Sequence, residues 1–194
     1  MKSRKQANIE ATRAALMSAA RRHFARYGYS RAGTERIAAD ARVTCGALYH
    51  HFAGKKGLFQ AVAEEVEGEI LAAAAAGGET EPWLRLRNGF ERLIDRCAAD
   101  DVQRIIFVEA PQVVGPDAWR EIELRFAFGA LRANLATLQE AGKIKPYPIE
   151  LLARMLLALL RETSAEVARS GRDPQVRGQI SGLVAGFWNI LSVS

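Results

Sequence analysis

The side chains best able to do chemistry are gathered in one stretch, VTCGALYHHFAGKKGLF, from Val43 to Phe59. It holds Cys45, Tyr49, His50, His51, Lys55 and Lys56, and no acid. Metal ligation is a poor match. Adjacent helical residues point about 100° apart, so His50 and His51 do not converge on one ion, and no Cys/His/carboxylate cluster supports them. Cys45 at a helix start could serve as a redox switch, but a small residue suited to close approach is the simpler reading. No nucleophile with a neighbouring base, no phosphate-cradling glycine loop and no metal-ligand spacing occurs, so neither an enzyme nor a cofactor is expected. What remains is ionic and hydrogen-bonding chemistry directed at an anion.

The charge distribution points the same way. Residues 1–60 carry 12 Lys/Arg and 3 Asp/Glu, a net +9; residues 61–194 carry 15 and 19, a net −4, and the two sum to the chain's +5. A basic N-terminal third on a mildly acidic body suits a polyanion partner for that third alone, although a solvated basic surface would look similar. With 49% apolar and 25% charged residues among 194, the chain can bury a core. It has no run of 18 apolar residues, so no membrane partner is expected. The N-terminus lacks the continuous apolar segment of a signal peptide. Cys45 and Cys97 define no disulfide framework. These features predict a cytoplasmic protein.

The elements that would position this stretch are helices. Period-2 alternation is absent and helical spacing runs throughout. Leu16, Ala20, Phe24 and Tyr27 form one stripe, with Gly28 as its stop. Thr34 precedes a short helix, Glu35 to Ala41, and Thr44 caps another, Cys45 to His51. Val43 and Leu48 flank that cap at the spacing of a hydrophobic staple. Gly54 begins a long helix, Lys55 to about Ala76. Two helices of seven and eight residues are unstable alone, and the Leu16–Tyr27 helix supplies their support. This is the arrangement of a helix-turn-helix domain, whose second short helix enters the DNA major groove. An acid-free helix is what a phosphate-lined groove tolerates. Leu48 and Phe52 hold it to the core; Cys45, Ala47, Tyr49 and His50 face outward.

From about Glu10 to Glu69 the sequence resembles the TetR family of bacterial transcription regulators. The resemblance rests on TRAALMSAARRHFARYGYS and GTERIAADARVTCGALYHHFAGKKGLF. Thr34, Ile37, Ala38, Val43, Thr44, Gly46, Leu48, Tyr49, Phe52, Lys55 and Leu58 match the family pattern position by position. The resemblance implies that Thr34 and Thr44 cap helices aimed at phosphates. Tyr49 and His50 would reach the DNA backbone, and Lys55 would pair with a phosphate. Cys45, Gly46 and Ala47 would stand at base edges, where small side chains permit close approach and methyl contacts. Arg42 departs from the usual glycine of the turn. A left-handed backbone there would cost on the order of 1 kcal/mol, which a phosphate contact could offset.

The resulting expectation is an all-α fold of about nine helices. A helix-turn-helix domain spans residues 10–70, with its reading motif at 33–52, and a helical effector-binding and dimerisation domain spans 78–194. In the C-terminal part, helices are expected at Val102–Ala110, Asp117–Ala141, Ile149–Arg169 and from Pro174 onward, with PQVVGP and KIKPYP as loops. Trp83, Phe90, Phe107, Trp119, Phe126 and Met155 are candidates to line a ligand cavity, although each also fits plain core. Glu162, after the apolar run LLARMLLALL, could face a pocket, a subunit contact or water. Gly178, Gly182 and Gly186 recur every four residues in the last helix. With Leu183 and Phe187 they predict a smooth dimer face, the alternative being chance. The function expected is a sequence-specific repressor on palindromic double-stranded operator DNA. It is expected to be a homodimer responsive to a small, largely apolar effector. The alternative is an architectural DNA-binding protein with no effector.

Overall fold

The computed structural model describes residues 4–123 and 127–193. Among these, α1 is Arg4–Arg31, α2 Thr34–Asp40, α3 Cys45–Phe52, α4 Lys55–Ala75 and α5 Pro82–Cys97. There follow α6, Asp100–Val102, a π-helical segment Gln103–Glu109, and α7, Ala110–Val114. The last four are α8, Pro116–Glu123; α9, Gly129–Glu140; α10, Ile149–Arg169; and α11, Pro174–Leu191. The fold is all-α, and the one β-type pairing among the described residues is an isolated bridge between Ile144 and Ser192. No described helix is long and apolar enough to cross a membrane.

The chain divides into two compact units: residues up to Val66 with Asp100–Trp119, and Glu67–Ala99 with the remainder from Arg120. Residues 100–119, expected within the domain spanning 78–194, thus belong to the first unit, because packing rather than chain order decides membership. Val102, Ile105 and Ile106 are buried, and the Arg21 guanidinium donates to Asp101 Oδ2 through both Nε (2.9 Å) and Nη2 (2.5 Å). PQVVGP is not a plain loop. Pro111 is accepted in the first turn of α7, where no helical N–H is needed, and Gly115, at φ 105°, ends that helix. Of the helix expected over Asp117–Ala141, the described residues include α8 and α9, and residues 124–126 between them lie outside the description.

In the first unit the core is built on Leu16, Ala20, Phe24, Ile37, Leu48 and Phe59, none of them exposed. Phe59 meets the ring of Phe24 edge-on at 5.0 Å and that of Tyr29 at 5.3 Å. Each such aromatic is worth roughly 1.5–3 kcal/mol through burial. Gly28 interrupts the regular helix of α1 at φ 74°, as its stop role requires, and one further turn reaches Arg31.

In the second unit α5 and α9 pack on α10. Trp188 of α11 is buried with Trp83 and Phe90 edge-on to it at 5.7 and 5.3 Å. Arg92 donates to the carbonyls of Ala73 and Ala74 at the end of α4 (3.1 and 2.9 Å) and to Glu79 Oε1 (2.9 Å). It thereby satisfies acceptors that a helix end leaves unpaired. Arg177 of α11 binds Asp95 and the Glu91 carbonyl of α5. Asp173 caps α11 through Gln175 N (2.8 Å).

Candidate nucleic-acid interface

Thr34 does not cap α2. Gly33 does, with extended backbone (φ −83°, ψ 133°) and its carbonyl accepting from Ile37 N at 3.1 Å; no side chain caps the helix. Residue type alone favours threonine over glycine as the side-chain cap. Thr34 is instead the first helical residue. At the end of α2 the turn is closed by bonds from Arg42 N to Ala39 O (2.9 Å) and from Val43 N to Ala38 O (3.0 Å). Arg42 has φ 57°, so it adopts the left-handed backbone that favours glycine, and its side chain is exposed.

Thr44 caps α3: its extended backbone lets Oγ1 accept from Ala47 N at 3.2 Å. Leu48 and Phe52 are buried, fixing the rotation of the helix about its axis. The opposite face then shows Gly46, Tyr49 and His50 to solvent, with Cys45 and Ala47 half-buried. Tyr49 is 55% exposed. Arg13 supports α3 from α1, with its guanidinium 4.4 Å from the centroid of the Phe52 ring. The helix ends on two left-handed residues, Ala53 at φ 52° and Gly54 at φ 103°. A side chain at Gly54 would lie 3.5 Å from the Tyr49 ring. Gly57 is tighter, for a Cβ there would collide with the backbone carbonyl oxygen of Phe52. That glycine sets how closely α4 follows α3.

Lys55 is held in place. Its Nζ donates to Ser30 O at 3.2 Å and lies 4.6 Å from the centroid of the Tyr29 ring. Burial pushes its pKa below the usual lysine value, and Glu109 opposes that shift. An ammonium has three donors, so two remain for an incoming anion. Arg13, Tyr29, Ser30, Gly57 and Glu109 were not among the sequence candidates. Gly57 alone left a signal, as a glycine inside the first turn of a helix.

His23 is not on the surface. It is 8% exposed, and its Nε2 lies 2.6 Å from Asp40 Oδ2, joining α1 to α2. That hydrogen bond, with the charge of Arg22 adding to it, holds the Asp40 carboxyl below the usual range.

The second unit contains a cavity of about 290 Å³ between α4, α5, α9 and α10. Of the sequence candidates, Phe90 lines it, together with Ile70, Leu86, Leu93, Leu138 and Leu160. Trp83 packs on Trp188 instead, and Phe107 and Trp119 belong to the first unit. Met155 is 49% exposed and Glu162 is also exposed. Phe126 lies outside the described residues. The lining also includes the small residues Ala74, Ala75, Gly89, Ala127 and Ala130, and a Cβ at Gly89 would lie 2.9 Å from the carbonyl oxygen of Ala74. Glu67, 5% exposed, is the one carboxylate of the lining. On α11, Gly178, Gly182, Leu183 and Gly186 are exposed and Phe187 is half-buried. Leu183 is 74% exposed, and a Cβ at any of the three glycines would meet nothing within 4 Å. Among the described residues no group of three or more His, Cys, Asp or Glu side chains could hold a metal ion.

Comparison with known proteins adds to this geometry. Residues 16–62 match the model of bacterial regulatory proteins, tetR family. Residues 83–187 match that of the tetracyclin repressor-like C-terminal domain. The chain is 35% identical over 182 residues to the HTH-type transcriptional repressor Rv1474c of Mycobacterium tuberculosis, covering 91% of this chain and 92% of that one. It is 26% identical over 187 residues to the transposon Tn10 TetC protein of Escherichia coli, covering 96% and 95%. A solved TetR-family transcriptional regulator of Pectobacterium atrosepticum is similar throughout. Its TM-score is 0.75 at 26% identity, covering 100% of this chain and 99% of that one.

Proposed function

The chain belongs to the tetR family of helix-turn-helix transcriptional repressors, not to an enzyme family, and from that premise we propose that it is a homodimer on a palindromic operator, released or retained by a small, largely apolar ligand. The observation that carries the DNA reading is α3. It is free of acids, capped by Thr44 and held by Leu48 and Phe52, so that its outward residues form one continuous face. On that face Cys45, Gly46 and Ala47 approach base edges, where their size favours methyl contact and water over bidentate pairing. Tyr49, His50, Lys55, Arg42 and the Thr34 hydroxyl contact phosphates. Such contacts fix register without carrying sequence information.

The exposed face of α11 supports dimerisation. Leu183 and Ile190, 74% and 61% exposed, flank a stripe of glycines that leaves a partner helix free to approach closely. Apolar surface of this kind on a monomer marks an interaction site. The cavity beside Phe90 supports an effector and disfavours the effector-free alternative. With its mostly apolar walls it suits a compact hydrophobic ligand. Operator affinity then depends on which spacing of the two reading helices the ligand-bound dimer prefers. Successive major grooves require about 34–36 Å.

Binding-site selection from a random duplex library, using the full chain, tests this reading. A palindromic motif should emerge, and Ala47→Phe should change or abolish it while leaving weak non-specific binding. Recovery of the same motif by the variant would move base reading away from α3. Absence of any preferred sequence would favour the architectural alternative.

A further inference from the structure

A second basic site lies on the first unit. Arg22, His23, Arg26 and Tyr27 of α1, with Arg36 and Asp40 of α2, line a shallow hollow of about 390 Å³. The three arginines are exposed. Arg22 and Arg26 are four apart on one helix, so they share a face and their like charges repel. Arg36 adds a third charge from the neighbouring helix. The single carboxylate of the hollow, Asp40, is engaged by His23 Nε2 at 2.6 Å. Arg22 donates to a neutral group, Ser18 Oγ, at 2.9 Å. Arg26 lies 5.2 Å from the centroid of the Tyr27 ring. Among the described residues neither Arg26 nor Arg36 has a hydrogen bond or an ion pair with a carboxylate.

We propose that this hollow receives a backbone phosphate of duplex DNA outside the base pairs read by α3, extending the footprint of each protomer. The inference rests on the DNA-binding reading above. A solvated basic face would be expected to intersperse its arginines with acids. Here the acid is tied to a buried histidine, and three positive groups surround an open concavity. Guanidinium groups fit phosphate oxygens with parallel N–H donors. Arg36 and Asp40, four apart, share a face of α2, and α2 packs on the reading helix α3, so the hollow belongs to the same unit as the base-reading face. The site carries no base-reading group. It would therefore add affinity and salt dependence without adding sequence preference.

The test uses the full chain, a duplex recovered by binding-site selection, and the same duplex lengthened by one helical turn of unrelated sequence at each end. Affinity is measured by fluorescence anisotropy between about 50 and 200 mM salt. With the double variant Arg26→Gln, Arg36→Gln, the slope of log affinity against log salt should shrink by roughly 1 per protomer on the long duplex. It should match the wild type on the short one. Arg26→Lys with Arg36→Lys should restore the long-duplex slope, since charge rather than shape carries the term, and circular dichroism should give all three proteins the same melting temperature. Equal slopes for wild type and Gln variant on the long duplex overturn the proposal. So does an equal loss on both duplexes, which would put the arginines in the core interface. So does binding of inorganic phosphate at this site, seen in the His23 ring resonances, with no dependence on duplex length. If the wild-type chain selects no duplex at all, the repressor reading itself fails; if it selects one and only the slopes agree, this inference alone is lost.

Discussion

The Nζ of Lys55 is 3.2 Å from the backbone carbonyl oxygen of Ser30, which ties the first residue of α4 to the last turn of α1. The ammonium is therefore positioned before any DNA arrives. Positioning it in advance lowers the side-chain ordering cost of a phosphate contact.

Replacing Lys55 by Ala should weaken binding to selected and unrelated duplexes by the same factor, because the phosphate it meets is common to both. The salt slope should fall by roughly 1 per protomer. Anisotropy titrations on both duplexes check this. A loss confined to the selected site would mean that Lys55 acts through base reading.

Gly57→Ala should destabilise the N-terminal unit and impair DNA binding together. The added Cβ meets the carbonyl oxygen of Phe52, a backbone atom that cannot rotate away. The start of α4 must then shift from the end of α3, at a cost typical of overpacking, about 1–3 kcal/mol. Thermal unfolding measured by circular dichroism tests the stability half and anisotropy the binding half. A variant with wild-type melting temperature and affinity would contradict the close approach.

The parts of the structure that were legible in the sequence are those in which one residue type answers one local demand. The Thr44 cap and the Gly28 stop are of that kind, whereas the left-handed turn at Arg42 was legible only through the family resemblance, which puts glycine there. Ala53 and Arg172, both at positive φ, left no such signal, because neither residue type prefers that backbone. The cavity was misjudged for a different reason. Helical periodicity marks which face points inward, so it identified aromatics such as Trp83 and Trp119 that fill space. A void is made by missing volume, and the lining here includes small residues such as Ala127 and Ala130 that no inward-facing stripe singles out. The membership of residues 100–119 in the first unit depends on pairs such as Arg21–Asp101, 80 residues apart, which no local pattern encodes.

Acid should expose the role of Glu79. Hydrogen bonds from Arg92, then Asn88, lower its pKa from the ordinary 4.5 to about 2. A carboxylate depressed in the folded state stabilises it fully above the unfolded value and loses that contribution as pH falls through the folded one. Glu79→Gln should therefore lower the melting temperature at pH 7, and the gap from wild type should close as the pH is lowered from about 4.5 toward 2. A gap that stays constant over that window would show that the carboxylate charge contributes nothing there.

Gly182→Leu should separate the subunits without unfolding them. Around Gly182 a new Cβ finds nothing within 4 Å in its own protomer, so the helix accommodates leucine internally. A partner helix lying close on that stripe would not. Sedimentation should give monomer at concentrations where the wild type is dimeric, with the melting temperature of the diluted protein unchanged. An intact dimer would place the subunit contact on another face.

The cavity gives the last prediction its form. Ala130 lies on α9 in the cavity wall, and a phenyl ring there would take up much of the roughly 290 Å³ available. Filling a void with apolar atoms stabilises a fold more often than it harms it, and Ala130 belongs to the unit that lacks the reading helix. Ala130→Phe should therefore keep operator affinity while removing the response to effector. The effector must first be found, by screening hydrophobic compounds for those that raise the wild-type melting temperature. A hit is an effector only if it also changes operator affinity, and linkage requires operator DNA to change its affinity by the same factor. A coupling of about 1–3 kcal/mol, some 5–150-fold, is the range to expect. The decisive comparison is between proteins. For wild type, a hit should shift both the melting temperature and operator binding; for Ala130→Phe it should shift neither. A compound that still moves operator binding in the variant acts elsewhere, and the cavity would then be a packing defect rather than a sensor.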